Sequence, residues 1–289
     1  MSALANRDFV KMNGLGNEIV IVDLRRATGE IAAAEARAAA RQEPYDQLMA
    51  LYPALGKDAS INAALRIYNN DGSEAGACGN GIRCVAALLS TETGGAVMKF
   101  ETPSGVISCW RAADGFFTVD MGAPRLRWDE IPLVREFSDT RMIDLTVPGV
   151  PDLHSPSAVS LGNPHAIFWV NDPTAFDLTA IGPKLEHDPL FPERANITLA
   201  ATPSRDHIVI RTWERGAGLT QACGTAACAA VVAAARLGRT GRKTRVTLPG
   251  GDLAIEWREA DDHVLMTGPV EYEHKGRFDA ALLVSTGAV

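Results

Sequence analysis

Alternating apolar and polar positions, rich in β-branched residues, predict strands over Glu18–Leu24, Ala63–Tyr68, Val97–Glu101, Val106–Arg111 and Phe116–Asp120. The same pattern returns at His207–Trp213, Thr244–Leu248, Leu253–Trp257 and His263–Met266. Ile31–Arg41 reads as a helix with Thr28 as its candidate N-cap. Further helices follow two Cys-Gly pairs, over Gly81–Leu89 and Ala226–Leu237, the second stopped by Gly238. That second helix is Ala, Val and Cys on nearly every face, which predicts the buried axis of its domain. Arg125–Pro156 is rich in Pro and charge and reads as the crossing between two halves of the chain.

The halves resemble each other in spacing more than in identity. Gly16-Asn17 precedes the apolar run Ile19–Val22, and Gly162-Asn163 precedes Ala166–Val170, a shift of 163 − 17 = 146. Arg66-Ile67-Tyr68 leads through a turn to Cys78-Gly79-Asn80, as Arg211-Thr212-Trp213 leads to Cys223-Gly224-Thr225; here the shift is 223 − 78 = 145. A strand pair then turns at Pro103-Ser104-Gly105 or at Pro249-Gly250-Gly251, where 249 − 103 = 146. Landmarks that share one shift to within a residue indicate an internal duplication, and so two similar α/β domains related by a pseudo-twofold axis.

Composition narrows the function. The 289 residues, 46% hydrophobic and 22% charged, are those of an ordinary globular chain long enough for two domains. A net charge of −7 argues against nucleic acid, whose phosphates call for a basic patch. Met1–Val10 carries Arg7 and Asp8 and no apolar run, so a secretory signal is not expected. The most apolar stretch, Ala222–Ala235, is too short to span a bilayer, so no membrane partner is expected. Five cysteines, an odd number at low density, suit free thiols in a reducing cytoplasm.

Cys78 and Cys223 each stand where a loop enters a helix, followed by Gly and then Asn or Thr. The unpaired N–H groups and positive dipole end of a helix start favour a thiolate and predict a lowered cysteine pKa. The same groups can hold a carboxylate, or the charge that builds on it when its α-carbon loses a proton. A pseudo-twofold axis presents two such thiols to one carbon from opposite sides. Inverting a stereocentre needs that arrangement: one thiolate removes the α-proton, the opposite thiol supplies another, and the pair shares one proton at rest. Cys84, Cys109 and Cys228 lie within helices or a strand and read as small buried hydrophobes. A zinc site from Cys78, Cys84, Cys223 and Cys228 fits poorly, because five and four residues separate the members of each pair. A Cys78, His165, Asn196 set of the kind found in cysteine proteases leaves Cys223 and the duplication without a purpose.

At these residues the chain resembles the diaminopimelate epimerase family. The matching segments are Met12–Asn17, Asn69–Glu74 (NNDGSE), Ala77–Cys84 (ACGNGIRC), Gly162–His165 (GNPH), Glu193–Asn196 (ERAN), Glu214–Gly218 (ERGAG) and Ala222–Thr225 (ACGT). Proline racemases of the wider superfamily typically carry His where this chain has Asn80. The resemblance implies an α/β (α+β) fold of two pseudo-symmetric domains, each a curved, mostly antiparallel sheet or barrel around a central helix, with the active site in the cleft between them. The domains would be residues 1–124, joined by the C-terminal segment 269–289, and residues 125–268. The activity implied is interconversion of LL- and meso-diaminopimelate for lysine and peptidoglycan precursors, with no cofactor and no metal.

In that scheme Cys78 and Cys223 are the acid/base pair, and Gly79, Asn80, Gly224 and Thr225 hold the reacting carboxylate. Asn17, Asn69, Asn163, Asn196 and Arg215, with Gln47 nearby, grip the remote amino-acid end; His165 and Glu214 sit beside the cysteines. A substrate with a zwitterion at each end needs such a set of directed donors and acceptors and one fixed guanidinium. The chain departs from the family pattern at Gln42–Tyr45, where a Gly-rich segment is usual, at Leu219 (usually Glu) and at Ala226 (usually Gly or Ser). A homodimer is implied, with His274 where many members have a contact Tyr. The rival readings are a same-fold racemase of proline or hydroxyproline, a non-catalytic amino-acid binder that closes on its ligand, and a metal-binding structural protein.

Overall fold

The computed structural model of the chain describes residues 2–56, 58–76, 78–93, 97–112 and 115–281. Ala77 of the first cysteine motif and residues 282–289 of the expected C-terminal segment lie outside the described residues. The chain divides into two compact units, Met1–Val119 with Gly268–Val289, and Asp120–Thr267.

The first unit runs β1 (Asp8–Asn13), β2 (Glu18–Asp23), α1 (Ala33–Gln42), β3 (Gln47–Tyr52), β4 (Ile61–Asn69), β5 (Glu74–Ala75), α2 (Gly79–Thr93), β6 (Val97–Thr102), β7 (Gly105–Arg111) and β8 (Phe117–Asp120). The second holds β9 (Thr146–Val147), β10 (Val150–His154), β11 (Ser157–Ser160), β12 (Pro164–Trp169), α3 (Leu178–Glu186), β13 (Asn196–Ser204), β14 (His207–Glu214) and β15 (Gly218–Leu219). It continues through α4 (Gly224–Arg236), β16 (Lys243–Leu248), β17 (Gly251–Trp257) and β18 (Val264–Gly268), after which β19 (Glu271–Arg277) returns to pair antiparallel with β1.

The order of pairings is the same in both. β1 runs antiparallel to β2, β2 parallel to β3, β3 antiparallel to β4, β4 antiparallel to β5 and parallel to β6, and β6–β7–β8 form an antiparallel meander. In the second unit β11 to β18 repeat this sequence of senses element for element. Each parallel pair needs a crossover, and a helix supplies it: α1 and α3 in the first position, α2 and α4 in the second. The backbone keeps the duplication too. Gly16 and Gly162 both turn at positive φ, 80° and 93°, and Gly105 and Gly251 at 118° and 135°. Other residues rarely tolerate these conformations, so the turn chemistry of the ancestral unit persists in both copies.

Helix α4 is the centre of its unit. Ala226 to Ala234 are buried without a break, and the helix packs against β11, β12, β13, β14, β16 and β17. Side chains no larger than Val and Cys let strands approach from every direction, which explains the absence of a polar face. The helix stops in a paired turn: the Gly238 N–H bonds Ala235 O and the Arg239 N–H bonds Ala234 O, with Gly238 at φ 68°.

Two expectations need correction. Thr28 does not cap α1; Ala32 precedes the helix with no side-chain cap, and Gly29 at φ 100° breaks the chain between them. The first turn of α1 instead carries the buried Glu35, which accepts from the Leu4 N–H at 2.6 Å and from the Ser2 hydroxyl, tying down the N-terminal arm. Nor is Arg125–Pro156 only a crossing. Ile131, Leu133, Ile143, Leu145, Val147 and Leu153 join Phe168, Leu178, Leu185, Phe191, Ile197 and Leu199 in one buried cluster of the second unit. Burying each such side chain is worth about 1.5–3 kcal/mol, enough to order a loop whose charged side chains face outward.

Helix α3 was not foreseen, because Gly182 and Pro183 read as breakers. It forms because Asp177 caps it, accepting from the Thr179 and Ala180 N–H groups at 3.1 and 3.3 Å. Asp177→Ala is expected to destabilise the fold, read as a lower urea midpoint with an unchanged slope.

Candidate active site: a half-site in each unit

In the first unit the turn Asn13–Asn17 lies against the start of α2. The Asn13 side chain accepts from the Gly16 N–H at 2.7 Å, and the Gly14 N–H bonds Asn17 O at 2.9 Å. A Cβ on Gly14 would come within 3.2 Å of Asn80, so any other residue would push Asn80 aside by a few tenths of an ångström. The turn brings Asn17 to Cys78: Asn17 Oδ1 lies 3.8 Å and Gln47 Oε1 3.6 Å from the sulfur. Outer bonds hold both amides in that orientation. Asn17 Nδ2 donates to Asp46 at 3.1 Å, Gln47 Nε2 donates to Asn69 Oδ1 at 3.3 Å, and Asn69 Nδ2 donates to Ser73 at 2.9 Å. Cys78 itself caps α2, accepting from the Gly81 N–H at 3.3 Å. Asn80 follows, its side chain buried and its Oδ1 without a protein partner.

The second unit assembles Asn163, His165, Asn196, Glu214, Arg215, Cys223, Gly224 and Thr225. A chain of polar contacts runs from the thiol. Cys223 Sγ lies 3.5 Å from Thr225 Oγ1, which accepts from Asn163 Nδ2 at 3.4 Å, and Asn163 Oδ1 is 3.0 Å from His165 Nε2. An amide oxygen can only accept, so Nε2 carries the proton and Nδ1 keeps its lone pair. That Nδ1 is buried with no protein partner. Burial, helped by the nearby Arg215 charge, pushes the His165 pKa down to about 3. Asn196 is a brace: its Nδ2 donates to Pro164 O at 3.0 Å and its Oδ1 accepts from the Arg215 N–H at 3.0 Å. The Arg215 guanidinium donates to Glu193 O at 2.9 Å, and Glu214 accepts from the Thr220 hydroxyl at 2.5 Å.

The expected lowering of the thiol pKa fails at Cys223. Burial pushes it well above the ordinary value, and the negative charge of Glu214 adds to the rise, while the Thr225 hydroxyl pulls weakly the other way. Loss of water and a neighbouring carboxylate together outweigh the helix start. Cys84 and Cys109 are buried as expected, their thiols pushed up to about 12 by the loss of water. Cys228 is buried in α4.

The sheet positions of the two half-sites correspond. Ile19 pairs with Gln47 across β2 and β3, and His165 with Asn196 across β12 and β13. Gln47 pairs with Asn69 across β3 and β4; Ile197 pairs with Trp213, which sets Asn196 beside Glu214. Asn17, Gln47, Asn69 and Cys78 thus stand in one unit where Asn163, Asn196, Glu214 and Cys223 stand in the other. The duplication has kept the positions and changed the charges.

Sequence reasoning overlooked two supporting carboxylates. Asp46 accepts from Asn17 and from the Glu18 N–H at 2.8 Å, and Glu186 is buried under the Glu214–Gly218 loop. Their partners lie far from them in the chain, Asp46 on Asn17 and Glu18, Glu186 on Trp213 and Gly216, so no local spacing marks the role. At the places where the chain departs from the family pattern, Tyr45 is buried with its hydroxyl donating to Ala36 O at 2.7 Å. Glu43 pairs with the buried Lys11 at 3.2 Å, Leu219 is exposed, and Ala226 is buried. His274 lies on exposed β19, its Nε2 3.3 Å from Glu43. Among the described residues no helix is long and apolar enough to cross a membrane, and no group of three or more His, Cys, Asp or Glu could hold a metal ion.

Known proteins share this fold. Solved structures show the same fold at low identity. A hydroxyproline epimerase from Agrobacterium vitis superposes with a TM-score of 0.67 at 15% identity, covering 96% of this chain and 94% of that one. A PhzF-family phenazine biosynthesis protein from Bacillus anthracis gives 0.68 at 18%, covering 95% and 99%. Sequence relatives are far nearer. Diaminopimelate epimerases of Rhodopseudomonas palustris strains BisB18 and HaA2 are 58% and 61% identical, over 100% and 98% of this chain and 100% and 97% of theirs. That of Bradyrhizobium sp. strain BTAi1 is 58% identical over 99% of both chains. The sequence model of diaminopimelate epimerase matches residues 9–127 and 157–273, one stretch for each copy of the duplication. The chain belongs to the diaminopimelate epimerase family.

Proposed function

We propose that the chain interconverts LL- and meso-diaminopimelate by moving one α-proton between Cys78 and Cys223. The observation that carries this reading is the repetition of one device in each copy of the duplicated unit: a cysteine at a helix start among polar side chains, the amides of Asn17 and Gln47 at Cys78, and Thr225 with Glu214 at Cys223. A thiolate on one side takes the α-proton, and the electron pair left on carbon spreads into the carboxylate. N–H groups at the starts of α2 and α4, with Asn80 and Thr225, stabilise that charge. The other thiol then gives its proton to the opposite face of the carbon, and the two sulfurs have exchanged protonation states.

The asymmetry of the half-sites supports a substrate whose two ends are handled differently, one reacting and one gripped. Arg215 is the guanidinium for the remote carboxylate, and the buried Asn196 with the half-buried Asn163 and Gln47 supply further directed contacts. A proline-type substrate has no second charged end, and each polar group it left unpaired would cost about 1–3 kcal/mol. The neutral His165 presents its Nδ1 lone pair as an acceptor for the reacting ammonium, a role that a charged imidazolium could not fill. The chain works in the cytoplasm as a homodimer; the free cysteines suit a reducing compartment, and the exposed β19 strand around His274 suits a contact between copies.

Proton NMR in D2O tests the chemistry. Deuterium should enter one α-position of LL-diaminopimelate as the meso isomer forms, with proline and 4-hydroxyproline silent; exchange confined to the proline-type compounds would discard the substrate. Cys78→Ala and Cys223→Ala should each lower turnover by at least about 100-fold, the scale of a lost acid/base group. Cys84→Ala and Cys109→Ala should instead lower the melting temperature while sparing the rate.

His165 also sets a pH dependence of stability. Its folded pKa of about 3 lies below the ordinary 6.5, so the unfolded chain binds its proton first as pH falls. Stability is therefore intact above about pH 6.5 and is lost on the way down toward about 3, at up to about 1.4 kcal/mol per pH unit. Denaturant titrations between pH 7 and 4 should give a shallower slope for His165→Gln than for the wild type.

A further inference from the structure

Glu186, the last residue of α3, is buried with 3% of its surface exposed. Its two oxygens accept three bonds: from the Trp213 indole N–H at 2.7 Å, the Gly216 N–H at 3.0 Å and Arg194 Nη1 at 3.2 Å. Its own carbonyl accepts from the Ala195 N–H at 3.3 Å. One residue therefore ties together the segment Glu193–Asn196, the end of β14 and the turn that follows Arg215. The fit is close. A Cβ on Gly182 would lie 2.4 Å from Trp213, so α3 lies directly on the indole that Glu186 also holds.

We propose that Glu186 is a positioning residue that fixes Arg215 for its grip on the substrate, an inference that rests on the functional reading above. Three links join it to Arg215. Trp213 and Gly216, both bonded to Glu186, flank the arginine by two residues and by one. The Ala195 N–H bonded to its carbonyl precedes Asn196, which accepts from the Arg215 N–H. Arg194 and Glu193 complete the circuit, since the Arg215 guanidinium donates to Glu193 O. Glu214 is held separately, by the Thr220 hydroxyl and by pairing with Gly218, so loosening Glu186 moves the binding group more than the group beside the thiol. The first unit braces the matching turn with the opposite polarity: Arg37 of α1 donates to Asp71 O at 3.2 Å.

Glu186→Gln keeps the volume but offers one acceptor oxygen and an amide NH2, so it cannot accept from both the indole and Gly216. The expected result is a KM for diaminopimelate raised by about tenfold or more with kcat changed by less than about threefold, the pattern of lost binding rather than lost chemistry. The Trp213 indole proton, assigned by its disappearance in Trp213→Phe, should move upfield in E186Q with or without substrate. Arg194→Met removes the ion pair and leaves the other two bonds, and should raise KM by less than E186Q does.

An unchanged KM in folded E186Q overturns the proposal, as does a fall in kcat alone that tracks the folded fraction. If E186Q fails to fold, Trp213→Phe decides, because it deletes one bond and keeps the ring over Gly182; an unchanged KM there overturns the proposal as well. Wild type measured alongside separates the two readings. Silence in wild type sinks the assigned activity, whereas wild-type turnover with an unaltered mutant KM sinks the brace alone.

Discussion

The first amide N–H groups of a helix have no partner within the helix, and when that end is taken out of water they must find one elsewhere. In each unit of this protein a helix start of this kind is enclosed by strands, and the half-site is the set of groups gathered around it. Cys78 answers the Gly81 N–H with its sulfur. Cys223 stands at the same place on α4, with the Thr225 hydroxyl beside it. Once a sulfur occupies that position, the neighbouring β-strands decide what it faces, because the ends of β3 and β4, or of β13 and β14, carry the side chains that reach it.

The two copies have drawn apart in charge while keeping their geometry. Gln47, held by Asn69, meets Cys78 with a neutral amide, and the matching strand ends bring the carboxylate of Glu214 toward Cys223. The position of Ile19 holds His165 in the second copy, buried deeply enough to stay neutral. Titrating groups and the single guanidinium are thus concentrated in the second unit, whereas the first supplies amides. Two copies of one unit have in this way come to offer different chemistry.

What could be read from the chain alone was whatever repeats or follows a period. Strands such as β14 and β16 alternate in burial as they alternate in sequence, and the Cys-Gly pairs announce their helices. β3 escaped notice because Gln47–Tyr52 is buried on both faces and shows no alternation. Helix α3 was hidden by Gly182 and Pro183, whose local preference yields to the Asp177 cap and to the contact of Gly182 with Trp213. The thiol pKa at Cys223 was misjudged because a helix start is visible in a sequence and the depth of its burial is not. Asp46 and Glu186 were missed for a related reason: a carboxylate whose partners lie far from it in the chain leaves no local spacing to read.

The unbroken burial of Ala226 to Ala234 has a consequence for how such a protein can change over generations. Every position of that run is buried among strands, so a larger side chain there would have to displace a neighbour. The sulfur of Cys223 is therefore kept in place by a stretch of chain that carries no chemistry of its own and has nearly no freedom to drift. Variation is displaced to the rim, where the exposed Leu219 is free to differ from the glutamate usual at its position.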